Sequence, residues 1–131
     1  MTVEPLLAVA ALTALIAAAM HAYIFTMESV RFGRTATLRM LGVEPQHADA
    51  VRLWAFHQGV YNLLLALTAA AGAALVVTGG ILPGRTLLWA SSITMVIAAL
   101  ALLLADRRTA RVPGFLAQAV PPLLTIAALT I

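Results

Sequence analysis

The chain has 131 residues, of which 63% are hydrophobic and only 10% charged, and it contains no cysteine. A soluble domain carries about 25% charged residues, so this composition excludes an ordinary water-soluble globule and points to an integral membrane protein. The net charge of +3 comes from arginine alone, with no basic groove interleaved with aromatics, so nucleic acid is not an expected partner. Without thiols, disulfides and cysteine metal sites are excluded.

The first apolar segment runs from about Pro5 to Met27. Glu4 stands where a signal peptide needs positive charge, so the segment is expected to stay in place as a membrane helix. The connection from Glu28 to Arg52 holds a weakly amphipathic piece, Arg34 to Leu41, closed by Gly42. Glu44-Pro45 then reads as a helix start, with proline in the first turn. The second helix is expected over 46–78, its membrane part beginning at Leu53. Thr78 to Arg85 is a Gly/Pro turn, followed by a third helix from Leu87 to Ala105. Asp106 to Gly114 is a charged turn ending in a helix-stopping Pro-Gly, and the fourth helix runs from Phe115 to Ile131. Each apolar stretch is close to the roughly 20 residues that cross a hydrocarbon core. The expected fold is all-α, an integral membrane four-helix bundle forming a single domain over 1–131.

Arginine placement predicts the orientation. Arg31, Arg34, Arg39 and Arg52 lie in the first connection and Arg107, Arg108 and Arg111 in the third, against Arg85 alone in the second. This asymmetry assigns the first and third connections to the cytoplasm and both termini to the outer side. The same arginines are suited to anionic headgroups, which makes membrane lipids expected partners.

One stretch of the second helix concentrates polar chemistry. Trp54, His57, Gln58, Tyr61 and Asn62 follow an i, i+3, i+4, i+7, i+8 pattern and share one face at 100° per residue. The opposite face carries Ala55, Phe56, Gly59 and Val60. A polar stripe on a membrane helix is expected to face other protein or water. The antiparallel arrangement puts further polar residues at the same depth: His21 and Glu28 at the end of the first helix, about 10 Å apart along it, and Gln118 at the start of the fourth. The expectation is therefore a polar pocket in one half of the bilayer, opening to the cytoplasm.

His21, Glu28 and His57 are the candidate acid–base groups of that pocket, and Trp54, Gln58, Tyr61, Asn62 and Gln118 the candidate ligand-binding groups. Each has a plainer reading. Gln58 and Asn62 can be interhelical hydrogen-bond glue, worth about 0.6 kcal/mol on average. Trp54 can be an interface-belt residue, and Glu28 can pair with Arg31 or Arg34 at headgroup level. His21, His57 and Glu28 make up a His/His/carboxylate set but lie on different helices without ligand spacing, so neither metal nor other cofactor is expected.

The runs His21-Ala22-Tyr23-Ile24, Glu28, Gln58-Gly59-Val60-Tyr61-Asn62 and Gln118-Ala119-Val120-Pro121 together resemble a family of small bacterial membrane proteins, domain of unknown function 1304. The resemblance covers essentially the whole chain and implies four membrane helices in a bacterial plasma membrane. In that family the Gln-Gly-x-Tyr-Asn run is usually preceded by asparagine and followed by glycine, where this chain has His57 and Leu63. The family name implies no reaction. Three functions are therefore weighed: a pocket that binds, and by acid–base chemistry transforms, a small amphiphilic or lipid-like molecule; a small, oligomeric, proton-coupled transporter; and an accessory subunit in which the stripe is glue.

Overall fold

The computed structural model describes residues 4–131. Helix α1, Pro5–Phe25, runs directly into a π turn, Thr26–Val30. A short α2, Thr35–Leu41, follows. A 3-10 turn, Pro45–His47, feeds the long α3, Ala48–Val77. Then come α4, Ile81–Ala105, a 3-10 turn, Thr109–Arg111, and α5, Val112–Thr130. Among the described residues there is no strand. Four stretches are long and apolar enough to cross a membrane: Pro5–Val30, Pro45–Val77, Ile81–Ala105 and Thr109–Thr130. The shortest has 22 residues, or about 33 Å of helix against a hydrocarbon core of ~30 Å. The architecture is that of a multi-pass membrane protein.

The four long helices form a ring in which α1 packs on α3 and α5, and α4 packs on the same two from the opposite side. Small residues line the contact between α1 and α3. Ala10, Ala11, Ala14, Ala17 and Ala18 of α1 are buried, as are Ala66, Ala69 and Ala73 of α3. Large apolar side chains such as Leu12, Ile16, Leu64 and Leu67 point outward. Lipid tails solvate leucine as well as a protein interior does, so little drives leucine inward. Short side chains let helix backbones approach and gain dispersion contacts instead. Helices α3 and α4 approach closely where a Cβ on Gly84 would lie 2.9 Å from the Val76 amide nitrogen and 3.0 Å from the Gly72 carbonyl.

Two element boundaries differ from the sequence-based expectation. Helix α4 begins at Ile81, so Leu82-Pro83-Gly84-Arg85 is its first turn rather than a loop. Helix α5 begins at Val112, so Pro113-Gly114 starts a helix instead of stopping one. The reason is common to both. The first-turn N–H groups of a helix have no intrahelical acceptor, so proline costs nothing there. Helix α2 ends where expected, with Gly42 at φ +70 in the left-handed conformation that closes a helix.

Polar contacts tie both ends of the ring. At one end Arg111 bonds Asp106 at 2.7 Å and donates at 2.9 Å to the Leu41 carbonyl that ends α2, joining the first connection to the third. Asp106 also pairs with Arg108, at 2.6 Å. Among the described residues the ion pairs of Asp106 are to Arg108 and Arg111, and none is to Arg107. At the other end Arg85 donates at 2.8 Å to the Leu129 carbonyl of α5.

Candidate functional site

The site is built around the π turn. An α-helix continuing from α1 would leave Glu28 close to the His21 face. The turn closes instead with Arg31 N donating to the Thr26 carbonyl at 2.8 Å, five residues back. The wider turn inserts extra backbone and swings the following side chains round, a feature common at functional sites. Glu28 then meets α3: Asn62 Nδ2 donates to its Oε2 at 2.9 Å. Ser29 donates to the Phe56 carbonyl at 3.2 Å. Gly59 makes this approach possible, since a Cβ there would collide with Ser29 Oγ and come within 3.2 Å of Glu28 Cβ. Glu28 pairs with neither Arg31 nor Arg34; no ion pair among the described residues includes it.

The polar stripe divides in two. Asn62 is 4% exposed and belongs to the bundle interior. Trp54 and Tyr61, at 69% and 61% exposed, stand on the outer surface, and His57 and Gln58 are exposed as well. Gly59, placed by the sequence on the face opposite the stripe, is buried. The interior face of α3 is thus turned from the stripe towards Gly59, Ala66 and Ala73. Close backbone contact decides which side of α3 faces inward, and most of the stripe faces outward.

His21 occupies a separate place. It is completely buried, with Nδ1 at 2.9 Å from the Ala17 carbonyl. A carbonyl only accepts, so in the neutral ring Nδ1 carries the proton and Nε2 presents a lone pair. Among the described residues that Nε2 has no hydrogen-bond partner. Gln118 is half-buried and donates at 3.2 Å to the Gly114 carbonyl of its own helix. Pro121 and Pro122 lie inside α5 and deprive the Ala117 and Gln118 carbonyls of their usual donors. Among the described residues no three His, Asp or Glu side chains converge on a metal-sized site.

A half-open groove of about 300 Å³ lies between α3 and α4. It is lined by Gln58, Tyr61, Asn62, Leu64, Leu65, Thr68, Thr94 and Ala98. Three expected site residues therefore share one cavity, with Glu28 hydrogen-bonded behind Asn62. Trp54, His21, His57 and Gln118 are not among its walls. Sequence reasoning missed the far end of the groove. Thr68 was open to discovery, since it continues the stripe one helical repeat beyond Tyr61. Thr94 and Ala98 lie four apart on α4, and nothing in one sequence pairs them with α3.

The groove is apolar along Leu64, Leu65 and Ala98 and carries polar groups at one end, with the Glu28 carboxyl behind Asn62. No curated protein and no solved structure matches the chain. The family model described as Protein of unknown function (DUF1304) matches residues 15–130, nearly the whole of this four-helix chain, and the chain belongs to that family.

Proposed function

We propose that this protein holds a small amphiphilic molecule in the groove between α3 and α4, which the molecule enters sideways from the bilayer. The observation that carries the reading is the bond from Asn62 to Glu28 at 2.9 Å. It places a carboxyl, without a cationic partner among the described residues, against a side chain that itself lines an open groove. An ionisable group at membrane depth is expensive to keep and is a functional candidate for that reason. The volume, about 300 Å³, is at the lower end of the range for small-molecule sites. The arginine asymmetry supports a cytoplasmic position for this end of the bundle, with both termini outside.

Of the three acid–base candidates, Glu28 is the one that adjoins the groove. His21 is enclosed and His57 stands outside, so the reading is binding, with any proton transfer assigned to Glu28. One observation favours a second reading. Trp54, His57 and Tyr61 form an exposed, partly polar strip along α3, which a second copy of the chain would cover in a homo-oligomer, as a small transporter would require.

The test is lipid and metabolite analysis of the purified protein beside a Leu64→Trp variant. Leu64 is 53% exposed, so the larger ring fills the groove without disturbing the interior. A stoichiometric amphiphile in the wild type that is lost from Leu64→Trp supports the reading. Identical bulk-lipid profiles in both would overturn it.

A further inference from the structure

The chemistry of the groove follows from how its polar side chains are already engaged. Asn62 Nδ2 lies 2.9 Å from Glu28 Oε2 and 3.0 Å from the Gln58 carbonyl. The Gln58 carbonyl oxygen only accepts, so the amide nitrogen must face it, and the same nitrogen reaches Glu28 Oε2, so both of its hydrogens are used. The orientation of the amide is forced by its partners. What Asn62 has left is Oδ1, an acceptor. The two threonines of the groove are spent in the same way. Thr68 donates to the Leu64 carbonyl and Thr94 to the Ala90 carbonyl, each at 2.8 Å. Each hydroxyl hydrogen is committed to its own helix, leaving oxygen lone pairs and methyl groups for an occupant. Gln58 and Tyr61 can serve as donor or acceptor. Asn62, Thr68 and Thr94 can only accept, and Glu28 places a carboxyl behind Asn62.

We infer that the occupant has a cationic, hydrogen-bond-donating head, a protonated amine on an apolar tail. This rests on the groove reading above and deepens it. An ammonium satisfies the free Asn62 oxygen and is drawn by the Glu28 carboxylate. The exposed ring of Tyr61 offers it a second attraction, through its π face. A carboxylate or phosphate head would bring lone pairs against lone pairs and its charge towards the Glu28 carboxyl, in a setting where water screens poorly. The tail lies against Leu64, Leu65 and Ala98.

Three probes of equal chain length isolate the head: dodecylamine, dodecanol and dodecanoate, titrated near neutral pH into the purified protein in micelles. Leu64→Trp, titrated in parallel, corrects for partition into detergent. Dodecylamine is expected to bind at least tenfold more tightly than dodecanoate. In Glu28→Gln, which keeps an acceptor for Asn62, its advantage over dodecanol should shrink several-fold. If all three probes bind equally and all are lost in Leu64→Trp, the groove stands and the amine inference falls. If none binds, the groove reading itself falls and takes the inference with it. Should Glu28→Gln fail to fold, the ranking of the three heads on the wild type decides the matter alone.

Discussion

At Gly72 and Val76, helix α3 meets the start of α4 with nothing polar between the backbones. Near its other end, at Gly59, it meets the π turn with Ser29, Glu28 and Asn62 gathered round the contact. Both contacts depend on a missing side chain. At the first, the missing side chain leaves room for backbone and Val76. At the second, it leaves room for a hydroxyl and a carboxyl-bearing side chain that have rotamers to choose from. The first contact fastens the bundle. The second positions an ionisable group against α3.

The contrast can be broken most severely at Gly84. Its Cβ would press on the Val76 and Gly72 backbones, which cannot rotate away. Gly84→Val is expected to destabilise the protein by about 3 kcal/mol, read as loss of folded protein in micelle unfolding assays. Next comes Asn62→Leu, which leaves the half-buried Glu28 beside α3 without its donor. An unsatisfied buried group costs about 1–3 kcal/mol. Glu28→Gln in the same assay should cost less, because the Asn62 bond survives; equal losses would mean that the bond does not hold the site. Gly59→Ala should cost about 1 kcal/mol, and much of that should return in Gly59→Ala/Ser29→Ala, where the colliding hydroxyl is gone. No recovery would show that backbone, not Ser29, sets the limit there.

Two smaller effects belong to neither contact. Thr13 and Thr125 share a buried hydrogen bond of 2.8 Å between α1 and α5. Thr125→Val should cost about 0.6 kcal/mol, the average for such bonds inside membranes. The Asp106 carboxyl is held well below its ordinary value by Arg108 first and Arg111 second. A lowered folded pKa means that the contribution is complete above the ordinary value of 3.8 and declines as pH falls below it. Between pH 5 and pH 3 the wild type should therefore lose slightly more stability than Asp106→Asn. Parallel pH profiles would contradict the pairing.

Much of the architecture could be read directly from the chain. Four apolar lengths, an arginine-rich first connection and Gly42 at the end of α2 each carry a local physical signal. The starts of α4 and α5 were misplaced because Pro83 and Pro113 read as breakers, although proline is harmless in a first helical turn. The inward face of α3 was misjudged for a different reason. Polarity suggested that Trp54, His57 and Tyr61 would seek protein. In a bundle whose exterior is as apolar as its interior, the small residues Gly59, Ala66, Ala69 and Ala73 settle the orientation. The pairing of Glu28 with Asn62 was hidden because it depends on a π turn, which rotates Glu28 away from the position that regular helix would give it.

The central claim is that the groove between α3 and α4 holds a small molecule. A photo-crosslinking side chain at Thr94, in the groove, tests it against one at Ile97, which is exposed on the same helix and does not line the groove. Irradiation in membranes followed by intact mass measurement is predicted to add one discrete small-amphiphile mass at position 94, while position 97 captures only the bulk lipid mixture. The same bulk-lipid adducts at both positions, or capture at position 94 of nothing but a second copy of the chain, would contradict it.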